Sequence, residues 1–193
     1  MRENIKNYIR ESILTKEKIL ESEPILNLTE KIAKIILETY KNNKKVLIAG
    51  NGGSAADAQH IVAELVSKFT KDRKALNAIA LTTNTSILTA ISNDYGYENI
   101  FSRQIEAYSN IGDVYIAIST SGNSKNIIKS IKTANKIGVL TIGFTGSNPS
   151  EMDNLCKISL KVPSNNTPII QESHIMLGHL IAKIIEENLF QEN

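Results

Sequence analysis

The chain has 193 residues, 41% hydrophobic and 22% charged, the proportions of an ordinary packed globular domain, which excludes disorder, collagen-like repeats and a disulfide scaffold. Lys and Arg number 22 against 20 Asp and Glu, a net charge of +2 that is too small and too evenly spread for a nucleic-acid or membrane-surface binder. One cysteine, Cys156, leaves no internal disulfide and no cysteine-rich zinc site and fits a reducing compartment, so a metal, if there is one, is held by histidine and carboxylate.

Residues 1–20 carry charge in every turn, and no stretch reaches the ~18 apolar residues of a membrane span, so a cytoplasmic location is expected. Two helices open the chain. Ile5, Tyr8, Ile9 and Ile13, then Leu28, Ile32, Ile35, Ile36 and Tyr40, fall at the three-and-four spacing of an apolar stripe, with Pro24 between them. The first helix precedes any strand, so its stripe packs on the back of the domain or on another subunit. A subunit is the expected partner, which makes the protein an oligomer.

After Lys45 short apolar runs alternate with helical segments. The runs are 46–49, 75–81, 114–118, 139–144 and 158–162, mostly continuous rather than alternating, as in strands buried on both faces of a parallel sheet. Helices are expected at about 54–69, 98–109, 124–137, 150–155 and 168–189. Such β-α units with right-handed crossovers give an α/β fold, a three-layer αβα sandwich on a five-stranded parallel sheet. A helical arm over about 1–42 precedes it, and nothing divides 1–193 into more than one domain. Ligands of such sheets sit beyond the carboxyl ends of the strands, which directs attention to the loops after Ala49, Leu81, Ile118, Phe144 and Val162.

Gly50-Asn51-Gly52-Gly53-Ser54 runs from a strand straight into a helix. It is either a cradle for a phosphate or sugar at a helix N-terminus, or a plain glycine turn capped by Ser54. It is neither the dinucleotide fingerprint nor a P-loop. Ser119-Thr120-Ser121-Gly122-Asn123-Ser124 gathers four hydroxyls at another helix start without an acidic residue, which reads as a phosphomonoester pocket or as one capping serine among turn residues. Between them, His60 and Glu64 stand at i and i+4, reaching one divalent metal or forming a surface pair. The last helix carries Gln171, His174 and His179. Gln171 and His179 are about 80° and about 12 Å apart on a helix, which barely lets them share a site. His174 is about 140° from His179, so a core or interface role is expected for it. Asn93-Asp94-Tyr95-Gly96 suits sugar hydroxyls and equally suits an ordinary turn.

Together, the Gly50–Ser54 loop, Asp57-x-x-His60-x-x-x-Glu64, Asn93-Asp94, the Ser119–Ser124 loop and Gln171-Glu172-x-His174-x-x-x-x-His179 resemble the phosphoheptose isomerases of the sugar isomerase (SIS) fold over nearly the whole chain. The resemblance implies interconversion of sedoheptulose 7-phosphate and D-glycero-D-manno-heptose 7-phosphate through an enediol. That is the entry step to ADP-heptose or GDP-heptose precursors of lipopolysaccharide or surface glycans. It also implies one zinc ion per subunit held by His60, Glu64, Gln171 and His179, with Glu64 and His179 as the acid/base pair. Ser119, Thr120, Ser121 and Ser124 would then hold the phosphate, and Asn51, Gly52, Gly53, Ser54, Asn93 and Asp94 would surround the sugar, with Glu64 and Gln171 also touching it. Family members are homotetramers with sites near subunit contacts. The same resemblance leaves a second class, a non-catalytic SIS-fold adaptor that binds the bacterial replication initiator, and a third, a sugar-phosphate sensor. Glu64 separates the first two, because the adaptor pattern has a small residue there.

Overall fold

A computed structural model of the protein describes residues 1–190. Helices α1 (Arg2–Leu20) and α2 (Glu23–Lys41) lead into β1 (Val46–Gly50), α3 (Gly53–Val66), β2 (Ala78–Ala80), α4 (Thr85–Tyr95) and α5 (Ser102–Tyr108). The chain continues through β3 (Val114–Ile118), α6 (Lys125–Ile137), β4 (Leu140–Thr145), α7 (Glu151–Leu155), β5 (Ile158–Lys161) and α8 (Thr167–Leu189). Pro24 sits in the first turn of α2, where its missing N–H costs nothing, and the Ser22 hydroxyl accepts from the Ile25 amide.

The five strands form one parallel sheet in the order β2-β1-β3-β4-β5. As expected, the fold is α/β with helices on both faces. The continuous apolar runs still alternate in three dimensions. Val46 and Ile48 pack with α2, α3 and α8 on one face, whereas Leu47 and Ala49 pack with α5, α6 and α7 on the other. Strand β3 does the same, with Ile116 on the first face and Tyr115 on the second, its phenol bonded to Ser130 at 2.7 Å.

Three boundaries differ from the sequence expectation. Strand β2 keeps only three residues of the apolar run over 75–81. Before it, Leu76 donates to the Leu65 carbonyl of α3, and only the Asn77 carbonyl still pairs with β1, accepting from Val46. The helix expected over 98–109 is broken into a 3₁₀ turn at Tyr97–Asn99 and α5 from Ser102. Asn93 and Asp94, which the sequence pattern places in a loop or turn, fall instead in the last turn of α4, whose first turn is capped by the Asn84 side chain accepting from the Ile87 amide at 3.0 Å.

The two leading helices have different fates. Ile32 and Ile36 of α2 are buried in the core. The α1 stripe faces outward instead, with Ile5 56% and Ile9 and Ile13 each 51% exposed. Most of what ties α1 to its own chain is polar: Glu11 accepts from the Asn166 side chain, and Ser12 and Lys16 both bond the Glu172 carboxylate. Only Thr15 and Ile19 of α1 are buried.

Candidate active site

The strand order reverses direction between β1 and β3, and a crevice opens at such a point beyond the strand ends. The glycine loop follows β1 and the serine loop follows β3, so the two unusual loops are neighbours. Reciprocal amide bonds join them: Asn51 Nδ2 donates to Asn126 Oδ1 and Asn126 Nδ2 to Asn51 Oδ1, each at 2.9 Å. Tyr97 Oη adds a third bond to Asn51 Oδ1 at 3.1 Å. Ser54 is not a cap. Gly52 occupies that position, at φ 56°, and Ser54 is buried in the first turn of α3. Asn93 and Asp94 are exposed on the last turn of α4 and bond each other at 2.7 Å. Among the described residues no hydrogen bond joins either to the glycine loop.

The serine loop turns tightly. Ser119 extends the β3–β4 ladder through its amide to the Phe144 carbonyl, and Gly122 donates back to the Ser119 carbonyl at 3.0 Å. Gly122 has φ +64°, and a Cβ there would lie 2.2 Å from Ser150 Oγ, so a side chain is excluded twice over. Ser124 begins α6 with no side-chain cap. Its hydroxyl instead meets the buried Ser119 hydroxyl at 3.1 Å, with Ser121 3.5 Å from the same oxygen. The Ser124 hydroxyl is thus not spent as a cap, and the N-terminus of α6 lies beside the cluster of serine hydroxyls.

Helices α3 and α8 lie side by side and run the same way, Gln171 against Gly53, Gly178 against Ile61 and His179 against His60. A Cβ on Gly178 would stand 2.6 Å from Ile61 Cδ1, so glycine is what lets the two helices approach. That approach brings three groups together. His60 Nε2 is 3.1 Å from Glu64 Oε1 and 3.3 Å from His179 Nε2, and one donor atom from each residue lies within 4.8 Å of the others. A single proton on His60 Nε2 serves only one of its two neighbours, whereas a shared cation serves all three. The three residues therefore form a group that could hold a metal ion. Gln171 is two turns earlier on α8, its amide packed on Gly53 at the N-terminal end of the same helix pair.

The carboxyl-edge crevice, its two loops and the His60, Glu64 and His179 group suffice to compare with known proteins. The SIS domain model matches residues 7–146. The chain is 55% identical over 192 residues to a phosphoheptose isomerase of Clostridium acetobutylicum, covering 100% of this chain and 98% of that one. The chain belongs to the phosphoheptose isomerase family. Solved structures of phosphoheptose isomerases agree. That from Neisseria gonorrhoeae has a TM-score of 0.90 at 39% identity, covering 96% of this chain and 98% of that one. That from Francisella tularensis has a TM-score of 0.92 at 34% identity, covering 96% and 97%.

For a phosphoheptose isomerase, several residues around this site carry no sequence signal of their own. Asn126 sits inside a helical pattern, where a buried amide looks like any polar residue. Tyr97 is separated from Asn51 by a strand and two helices. Phe69 lies beside the His179 ring, centroids 5.9 Å apart, and looks like core from its neighbours alone. Asp57, one turn before His60, does stand in the sequence motif, which assigns it no role. Burial pushes its carboxyl up to about 6 against the opposing pull of His60, and Oδ2 is buried with no hydrogen-bond partner among the described residues. His174, by contrast, takes the core role expected of it. It is fully buried, its Nε2 is 3.1 Å from the Thr145 carbonyl, and burial, opposed by that hydrogen bond, lowers it to about 4, so it is neutral at physiological pH.

Proposed function

We propose that the protein interconverts sedoheptulose 7-phosphate and D-glycero-D-manno-heptose 7-phosphate, with zinc held by His60, Glu64, Gln171 and His179. The observation that carries this reading is the meeting of His60, Glu64 and His179 on two parallel helices. Bound zinc would polarise the sugar carbonyl and stabilise negative charge on the enediol oxygens. The proton work falls to Glu64 and His179: a base removes the proton from one of the two carbons, and its conjugate acid returns it to the other. A carboxylate committed to a metal loses basicity, so either Glu64 loosens from the metal during the reaction or His179 is the principal proton carrier.

The phosphate is assigned to Ser119, Thr120, Ser121 and Ser124 at the start of α6. Hydrogen bonds to a charged group are worth about 1.5 to 3 kcal/mol each, so three or four hold a dianion without arginine. Asn51, Gly52, Gly53, Ser54, Asn93 and Asp94 are assigned to the sugar hydroxyls. The Ser121 hydroxyl is exposed and already oriented by accepting from the Asn123 amide at 3.3 Å. Ser121→Ala is expected to weaken sugar-phosphate binding by about tenfold or more, measured by calorimetry, and unchanged affinity would remove this loop from the site.

The adaptor reading is set aside because Glu64 occupies the position that distinguishes it. The direct test of the function is conversion of sedoheptulose 7-phosphate to an aldose by purified protein. No helix among the described residues is long and apolar enough to cross a membrane. A phosphorylated substrate and product suit the cytoplasmic location that the sequence suggests, and one domain over 1–193 suits the continuous sheet.

The outward stripe of α1 supports a homotetramer, since an apolar face of this size is otherwise exposed to water. Removal of residues 1–20 is expected to lower the oligomeric state or cause aggregation. A truncated chain that remains tetrameric by light scattering contradicts the packing role of α1.

A further inference from the structure

Beyond the site, α3 and α8 are joined again by a buried ion pair that the chemistry above does not use. Arg73 and Glu186 have side chains only 2% and 1% exposed, Nε to Oε1 3.0 Å apart. Glu186 lies two turns past His179 on the same side of α8. Its carboxylate accepts from the amides of Phe69 at 2.8 Å, Thr70 at 2.7 Å and Lys71 at 2.9 Å, and from the Thr70 hydroxyl at 2.7 Å. Arg73 passes the connection on, donating to the carbonyls of Glu64 at 2.7 Å and Leu65 at 2.8 Å.

Those two carbonyls belong to the last turn of α3, whose backbone acceptors have no partner inside the helix. The guanidinium fork therefore fixes the backbone of Glu64 itself. The amides on the other side of the carboxylate fix Phe69, whose ring lies against His179. One ionised group thus holds the helix end that carries Glu64 and the ring that flanks His179. A buried ion pair adds little net stability over apolar packing, so geometry is the better explanation of its presence here.

We propose that Glu186 and Arg73 are positioning residues that set where Glu64 meets His60 and His179, acting through the Glu64 carbonyl and the Phe69 ring without touching substrate. The inference rests on the metal and proton-transfer reading of that cluster. Replacing Glu186 by glutamine keeps the volume but turns an NH₂ toward several N–H donors. Arg73→Lys keeps the charge but loses the planar fork to the two carbonyls, and serves if the first variant folds poorly.

In the metal-free protein, amide exchange over the end of α3 and residues 67–71 is expected to rise at least tenfold in both variants, while the Ser119–Ser124 loop is unchanged. Affinity for Co²⁺, titrated alone, should fall tenfold or more. At saturating metal kcat should fall by a similar factor, with KM within about twofold.

Asp113→Asn is the matched control. Asp113 is also 1% exposed, paired with Lys45 at 2.8 Å and accepting the Lys45 and Asn110 amides, but it precedes the central strand β3 and bonds neither α3, α8 nor residues 67–73. It should lower the melting temperature comparably and leave Co²⁺ affinity and kcat alone. Exchange and Co²⁺ affinity that stay at wild-type values in both variants, or that change equally in Asp113→Asn, overturn the positioning role. Wild-type protein that binds no Co²⁺ sinks the metal reading instead, and the exchange comparison still decides the role of Glu186 in fixing the end of α3.

Discussion

Replacing His179 by glutamine is expected to lower turnover of sedoheptulose 7-phosphate by about 10² to 10⁴, the usual contribution of a general acid or base. Glutamine keeps a polar atom at the end of a side chain of similar reach, yet exchanges no proton near neutral pH. Glu64→Gln should act in the same range. The two functions of these residues separate when zinc content is measured beside the rate. Were ligation their only purpose, the loss of activity would follow metal occupancy. The proposal requires that at least one variant, with His179→Gln the favoured one, retain zinc and lose most isomerisation. Near-normal activity in both variants would rule the mechanism out.

The second large effect is expected from His60→Ala. His60 Nε2 is the atom that approaches both other groups, at 3.1 Å and 3.3 Å, so its removal breaks both contacts at once. Glu64 and His179 then remain on different helices with no group between them. Metal affinity should fall by about 10² or more, in line with losing an entire ligand where even supporting residues cost 10- to 100-fold. The side chain is half exposed, so the fold should survive, and circular dichroism together with elemental analysis reads the two outcomes independently. Stoichiometric zinc in this variant contradicts the assignment.

The layering of the fold is legible in the sequence because it depends on the strongest signal, uninterrupted apolar runs such as 114–118 separated by helical patterns. The loops of the site are legible because glycine and serine cluster there against the average composition. What stays hidden is set by contacts distant in the chain. The run over 75–81 reads as a full strand, but Leu76 bonds the Leu65 carbonyl at the end of α3, and residues 69–71 just upstream bond Glu186, more than a hundred positions away. The close approach of α3 and α8 depends on Gly178 lying over Ile61, and nothing in a helical pattern tells a glycine that admits a neighbour from one that merely weakens the helix. The spacing of Gln171 and His179 leaves a shared site open, and the neighbouring helix meets them at separate points, Gly53 against Gln171 and His60 against His179.

The shortness of the outer strands has a consequence for the chain's behaviour at high concentration. A parallel sheet that does not close on itself leaves two rows of unpaired backbone groups, which act as templates for another chain. Here one row belongs to β2, three residues long, and the other to β5, four residues long. Lys157 stands just before β5 and Lys161 ends it, the latter paired with Asp153 at 2.7 Å. A strand added from a second molecule gains few hydrogen bonds at either margin and meets charge at one of them. Both margins are therefore poor templates for edge-to-edge polymerisation, a property that follows from the shortness of β2 and β5 themselves.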